Sequence, residues 1–301
     1  MSSPFIGIAG RNRGVERVRQ ALRDALPSPI RRAIVRLLAP MRARAASESD
    51  LAAARRVLTR DEDRERYFRL VRDAEARWRA GRYDATGPLE ALPVGNVSVY
   101  VRPGTSDVLV YRDVIVRDNY GEADLPADAA VLDCGANIGL VSVAVLTKHA
   151  GARVLAIEPD PRNIELCQRN LEPFAGRAQI LRAAVWDTAG WLKLASGTEG
   201  TWASHVEPGS GDIEALTITN ALERLGAEWV DLIKLDVEGA EARILSGDIS
   251  WLARTGCLMI EIESDDARAA FNDAMRRYPY FQLTQKSDVT IATRPKAQRI
   301  R

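Results

Sequence analysis

The sequence is short of the residues that would make a protein disulfide-stapled, zinc-bound or membrane-spanning. Its 301 residues include three cysteines, Cys134, Cys167 and Cys257, which form no CxxC pair and are too few for a disulfide framework, so a reducing compartment is expected. Only two histidines occur, His149 and His205, and no zinc-ligand spacing arises from them. Long hydrophobic runs are missing too: the longest uncharged stretch, Cys134 to Thr147, has about 14 residues with two glycines and an asparagine, short of the roughly 20 that span a bilayer. The opening MSSPFIGIAGRNRG meets arginines before a signal-peptide core can form. These gaps lead to the expectation of a cytoplasmic protein.

Lysine is absent from the first 82 residues, where 20 arginines face 10 acids; the remaining 22 bases face 31 acids. The near-neutral total of +1 therefore hides two surfaces of opposite sign. Between Arg13 and Arg79 the pattern is helical, broken by Pro27, Pro29 and Pro40. One segment puts Ile30, Ile34, Val35, Leu37 and Leu38 on one side and Arg31, Arg32 and Arg36 on the other. Such a helix either packs on the main domain with its arginines solvated or lies peripherally on the anionic inner face of a membrane. Nucleic acid is not the expected partner, because no aromatic stacking platform is interleaved with the arginines.

Beyond Gly81 the pattern changes. Val97, Val99 and Val101 alternate with polar residues, Pro103 to Ser106 marks a turn, and Val108 to Val116 is β-rich, which predicts a hairpin. From Ala129 apolar strands alternate with helices: AAVLDCG, ARVLAIE, AQILRAAVW, EALTIT, VDLIKLDV and CLMIEIE. That predicts an α/β domain with a doubly wound, mostly parallel sheet. Phe281 to Gln285 and Val289 to Thr293 predict a C-terminal antiparallel hairpin, a common ending of nucleoside-binding methyltransferase domains. The expected boundaries are an arginine-rich helical appendage over 1–86, a β-hairpin lead-in over 87–126 and the α/β domain over 127–301.

Ligands of open α/β sheets bind beyond the carboxyl ends of the strands. The first such end is Asp133, Cys134, Gly135, Ala136, Asn137, Ile138, Gly139, spaced D-x-G-x-x-x-G. The dinucleotide fingerprint would need glycines where Asn137 and Leu140 stand. An aspartate at this tip suits a cationic ligand better than a diphosphate. The second tip is Glu158, followed by Pro159; an acid there can accept from both hydroxyls of a ribose, or act as an acid at the start of the next helix. The third run, Leu232 to Glu241, alternates so that Lys234, Asp236 and Glu238 share a side, which is costly unless they are paired or functional.

These runs, with RPGTSD over Arg102 to Asp107 and with Tyr120, closely resemble the FkbM family of S-adenosylmethionine-dependent methyltransferases. The matching residues are the DCGANIG loop with Leu140, EPDPRN from Glu158 to Asn163, Ala183 to Val185 with Asp187 and Gly190, and IKLDVEGAE from Ile233 to Glu241. The resemblance implies a Rossmann-like class I methyltransferase that binds S-adenosyl-L-methionine through Asp133, Gly135, Ala136, Asn137, Gly139, Glu158, Pro159 and Ala184. It also implies methylation of hydroxyl groups, commonly on sugars of glycans, glycolipids or natural products. Cys134 departs from the small or aliphatic residue commoner there. The final strand reads Glu261, Ile262, Glu263 where many members carry a histidine.

Methyl transfer to a hydroxyl needs a general base, or a metal that acidifies the hydroxyl. The candidates are Asp236 and Glu238, with Lys234 beside them, and His205, whose ordinary pKa suits neutral pH. Asp236 and Glu238 could also hold Mg²⁺, although two acids do not define a metal site. Trp202, Tyr120 and the Pro103 to Asp107 turn are candidate contacts to a carbohydrate. The rival expectations are a nicotinamide-dependent oxidoreductase and a non-catalytic, membrane-associated binding protein.

Overall fold

Helix α1 (Asp61–Arg79) opens on Asp61, Glu62 and Asp63 and closes on Arg77 and Arg79, the charge order that a helix dipole favours. The computed structural model describes residues 49–82, 85–121, 123–195, 205–208 and 211–295. The amphipathic segment from Ile30 to Leu38 therefore lies outside the described residues, as do Thr201, Trp202, Ala203 and Ser204. The chain divides into two units, Met1–Ala52 and Ala53–Arg301, and the second carries the sheet.

Tyr67, Leu70 and Ala74 on α1 are buried in the same core cluster as strands of the sheet, and Tyr67 packs 5.9 Å from Tyr111. The sheet-bearing unit thus begins before the boundary at 86 that the charge balance implied. Charge reports on the exposed side of a helix, whereas one apolar stripe suffices to attach it to a core.

Strands β1 (Glu90–Val94) and β2 (Val97–Val101) pair antiparallel, so the hairpin lies earlier in the chain than expected. The β-rich run from Val108 to Val116 is helical: α2 (Asp107–Tyr111) continues into a π-helical turn over Arg112–Val116. Val108, Leu109, Tyr111, Val114, Ile115 and Val116 are buried, and Tyr111 Oη donates to the Pro93 carbonyl at 2.6 Å. Packing against α1 and the hairpin outweighs the local β preference of valine.

The α/β domain follows in the order β3 (Ala130–Cys134), α3 (Leu140–Lys148), β4 (Arg153–Ile157), α4 (Pro161–Leu171), β5 (Ala178–Leu181), β6 (Ala183–Val185), β7 (Gly190–Ala195), β8 (His205–Pro208), β9 (Ile213–Leu216) and α5 (Ile218–Leu225). It continues through β10 (Leu232–Leu235), α6 (Glu241–Ser246), β11 (Cys257–Glu261), α7 (Asp265–Arg277), β12 (Gln282–Lys286) and β13 (Val289–Thr293). Local chemistry sets several helix starts. Asp160 caps α4 by accepting from the Arg162 amide, with Pro161 in the first turn, and Thr217 and Asn220 form a capping box on α5.

Seven strands form the main sheet, ordered β12-β13-β11-β10-β3-β4-β5. Strands β11, β10, β3, β4 and β5 are parallel, and β13 pairs antiparallel with both β11 and β12. Alternate strand residues feed two cores. Val131, Val154 and Leu232 pack with α1, α3 and α4, while Leu132, Leu155 and Ile233 pack with α5, α6 and Trp251. Layers on both faces make the sheet doubly wound, as the sequence predicts. The run AQILRAAVW is two strands rather than one: β5 closes the main sheet, and β6 begins a second, four-stranded sheet ordered β6-β9-β7-β8.

Candidate active site

The parallel strands all present their carboxyl ends to one edge, where a cavity of about 580 Å³ opens. The loop after β3 forms its floor. Gly135 has φ +76°, and a Cβ there would stand 1.8 Å from the Asp236 carbonyl oxygen, so a side chain would drive two strand tips apart. Gly139, at φ +83°, lies against Cys167 Sγ with no room for a Cβ. Asn137 is also left-handed, and this conformation turns its amide toward Glu158 Oε2, 2.9 Å away.

Glu158 is buried at the tip of β4 and accepts from three donors: the Asn137 amide, the Asp160 amide at 3.0 Å and Asn163 Nδ2 at 3.3 Å. Burial raises its pKa above the usual carboxylate value, and the three hydrogen bonds oppose that rise. Its carboxylate is thereby turned and held at the cavity wall. Asn137 Oδ1 is a buried acceptor without a hydrogen-bond partner among the described residues, and it lies on the same wall.

Lys234 is almost completely buried. Its ammonium donates to the Gly135 carbonyl at 2.5 Å, lies 3.0 Å from Asp236 Oδ2 and stands 3.8 Å from Asp133 Oδ1. Burial alone would lower its pKa, but Asp236, Asp133 and Tyr120 reverse the effect and leave the net shift upward. Beyond Leu235 the strand ends, so Glu238 does not reach the cavity by strand alternation. It does so through a left-handed residue at φ 54°. Glu241 fixes that turn by accepting from the amides of Val237 and Gly239 at 2.9 and 3.0 Å.

Gly135, Ala136, Asn137, Glu158, Pro159 and Ala184 line the cavity, together with Lys234, Asp236 and Glu238. Two expected contacts are placed elsewhere. Asp133 is fully buried, accepts from Ser142 Oγ at 2.6 Å and supports Lys234 from behind the wall; Gly139 starts α3. His205 opens β8, at the edge of the second sheet farthest from β6, and its side chain lies outside the described residues. Among the described residues no three His, Cys, Asp or Glu side chains converge as metal ligands, so Asp236 and Glu238 gain no third partner for Mg²⁺.

Glu261, Asp288, Asn163 and Glu263, to which the sequence reading assigns no site role, also line the cavity. Glu261 ends β11, so the rule that singled out Glu158 at a strand tip applied to it equally. Burial first, then the neighbouring acids, push Glu238 up to about 8 and Glu261 to about 7, and Glu263 upward as well. The other wall comes from the appended elements: Trp78 of α1, and Leu109, Val110, Arg112, Asp113 and Val114 of α2 and its π-helical turn. Arg112 Nη1 pairs with Glu75 Oε1 at 3.1 Å, so α1 also braces that wall.

A doubly wound seven-stranded sheet with one reversed strand, carrying a glycine loop and an acidic second strand tip at the same edge, is the Rossmann-like class I methyltransferase fold. Residues 133–282 match the methyltransferase FkbM domain, and the chain belongs to that family. It is similar to methyltransferase sdnD of Sordaria araneosa, 26% identical over 199 residues that cover 54% of this chain and 76% of that protein. The 2-O-methyltransferase NoeI of Sinorhizobium fredii is 25% identical over 210 residues, 62% of this chain and 83% of that one. The hexuronic acid methyltransferase AglP of Haloferax volcanii is 24% identical over 225 residues, 69% and 92%. Family membership sets the nicotinamide reading aside.

Proposed function

We propose that the protein transfers the methyl group of S-adenosylmethionine to a hydroxyl of a sugar, in a glycan, glycolipid or glycosylated natural product. The observation that carries this reading is one cavity with two chemically different ends: the Glu158 and Asn137 acceptors at the β3 and β4 tips, and the carboxylates Asp236, Glu238 and Glu261 at the β10 and β11 tips. The relatives named as a 2-O-methyltransferase and a hexuronic acid methyltransferase support the choice of a hydroxyl on a sugar.

The residues present fit the cofactor. Glu158 would turn the acceptor site that its three protein donors leave open toward the ribose hydroxyls, and the unmatched Asn137 Oδ1 would accept from a donor such as the ammonium of the methionine end. Small side chains at Gly135, Ala136 and Ala184 leave room along the wall. S-adenosylmethionine supplies an electrophilic methyl group. The chain's own task is to orient the acceptor hydroxyl and take its proton as it attacks. Asp236 and Glu238 act as a coupled pair for this, Asp236 anchored on Lys234 and Glu238 poised by its burial, and then by that neighbouring charge, to receive the proton near neutral pH.

The test is transfer of a labelled methyl group from S-adenosylmethionine to a panel of neutral sugars, uronic acids and glycosylated small molecules. Label in a product that survives mild alkali, as a methyl ether does, supports the reading. Label released by alkali marks a carboxyl ester and overturns it.

A further inference from the structure

The Glu158 carboxylate stands at the end of a hydrogen-bonded chain that begins outside the α/β domain. Arg102, just beyond β2, holds the fully buried Asp107 by two parallel bonds along one edge of its guanidinium: Nε donates to Oδ2 at 2.8 Å and Nη2 to Oδ1 at 2.9 Å. The Arg102 amide also donates to Asp107 Oδ2 at 2.8 Å, so the turn between them is locked. Nη2 then donates to Asn163 Oδ1 at 2.8 Å, and Asn163 Nδ2 donates to Glu158 Oε1 at 3.3 Å.

We infer that Arg102, locked on Asp107, is a positioning residue for the cofactor ribose, acting through Asn163 to hold Glu158 in the orientation that receives the ribose hydroxyls. The inference rests on the proposed contact of Glu158 with ribose. Its logic is the asymmetry of an amide side chain, whose oxygen only accepts and whose nitrogen only donates. A guanidinium has no acceptor, so it admits only the oxygen of Asn163 and thereby sends the NH₂ group to Glu158. Reversed, the amide would set two oxygens against each other. A planar fork with several fixed donors can hold Asp107 and Asn163 together, which the point charge of a lysine does less well. The arrangement also makes the loop between β2 and α2, outside the family-matched residues 133–282, part of the cofactor site.

The test is calorimetric titration of the full chain with S-adenosylhomocysteine and with its 2′-deoxyribose counterpart. The unaltered protein is expected to prefer the ribose ligand by at least about tenfold, the scale of hydrogen bonds to a charged group. Arg102→Met is expected to weaken binding of the ribose ligand about tenfold, and of the deoxy ligand less than about threefold, so that the preference collapses. Arg102→Lys should recover part of it. Asn163→Asp leaves the Arg102 turn intact, places a carboxylate oxygen against Glu158, and should abolish the preference in the same way. If Arg102→Met and Asn163→Asp weaken both ligands equally, or keep the preference, the residues only support the fold and the inference fails. An unaltered protein that binds both ligands equally overturns the ribose contact of Glu158 itself, a separate and recognisable result.

Discussion

Lys234 ties two strand tips together: its ammonium pairs with Asp236 at 3.0 Å and donates to the carbonyl of Gly135 at 2.5 Å. Lys234→Met would leave Asp236 and the buried Asp133 without their cation and release the Gly135 loop. Removing one partner of a buried pair costs ~3 to 5 kcal/mol. We expect urea denaturation to show a loss of that order, together with weakened binding of S-adenosylhomocysteine. A loss well under about 1 kcal/mol would mean that Lys234 is dispensable for holding the tips together.

Glu238 and Glu261 hold their protons to about 8 and about 7, because burial and neighbouring acids disfavour the charged forms. A general base must be deprotonated, so methyl transfer should rise with pH through the 7 to 8 region and level off above it. Glu238→Gln should lower turnover by about 10² to 10⁴-fold at pH 8, the usual size of a lost general base. In Asp236→Asn burial still raises Glu238 but one of the neighbouring charges is gone, so turnover should fall while the rising limb moves part of the way to lower pH. A pH profile unchanged in both variants would leave the base to His205 or to an added metal, and recovery by Mg²⁺ after EDTA would identify the latter.

The same shifts act on stability with a definite sign. Both folded-state pKa values lie above the ordinary carboxylate value, so the folded state binds protons that the unfolded chain has released. Stability from these groups is present below about pH 4.5 and is lost as pH rises toward 7 to 8. Glu238→Gln should therefore raise Tm at pH 8 and raise it less at pH 5. Equal shifts at the two pH values would refute the coupling.

Glu158→Ala removes an acceptor for two hydroxyls while leaving strand β4 in place. Hydrogen bonds to a charged group contribute about 1.5 to 3 kcal/mol, so affinity for S-adenosylhomocysteine should fall by roughly 10 to 150-fold, with a lowered Tm because the donors of Asn137, Asp160 and Asn163 lose their acceptor. Unchanged affinity would remove the ribose assignment.

A chain shortened to start at residue 87 loses Tyr67, Leu70 and Ala74 from the core and Trp78 from the cavity wall. Two or more large buried side chains at about 1.5 to 3 kcal/mol each remove a large part of the roughly 5 to 15 kcal/mol that holds a domain folded. We expect that chain to be unfolded and one starting at residue 53 to fold and bind S-adenosylhomocysteine. Sedimentation with anionic vesicles then tests the arginine-rich segment: retention by the full chain alone, fading above about 0.15 M salt, would mark electrostatic attachment. No retention at low salt would refute it.

The parallel sheet, its closing hairpin and the order of the three functional runs were legible in the sequence, because strands buried on both sides and glycine turns are local signals. Gly135, Asn137 and Glu158 could be named for the same reason, since a strand tip in this fold always meets the ligand edge. Val108 to Val116 was misread because β-branched residues signal burial as readily as they signal a strand, and only contact with α1 and the β1–β2 hairpin decides between them. Charge likewise hid the attachment of α1. The sequence also could not say that Asp133 would stand behind Lys234 rather than face the cavity, or that Arg102 would reach Asn163, 61 residues away. Those are relations between segments distant in the chain, and they exist only once the sheet order brings the segments side by side.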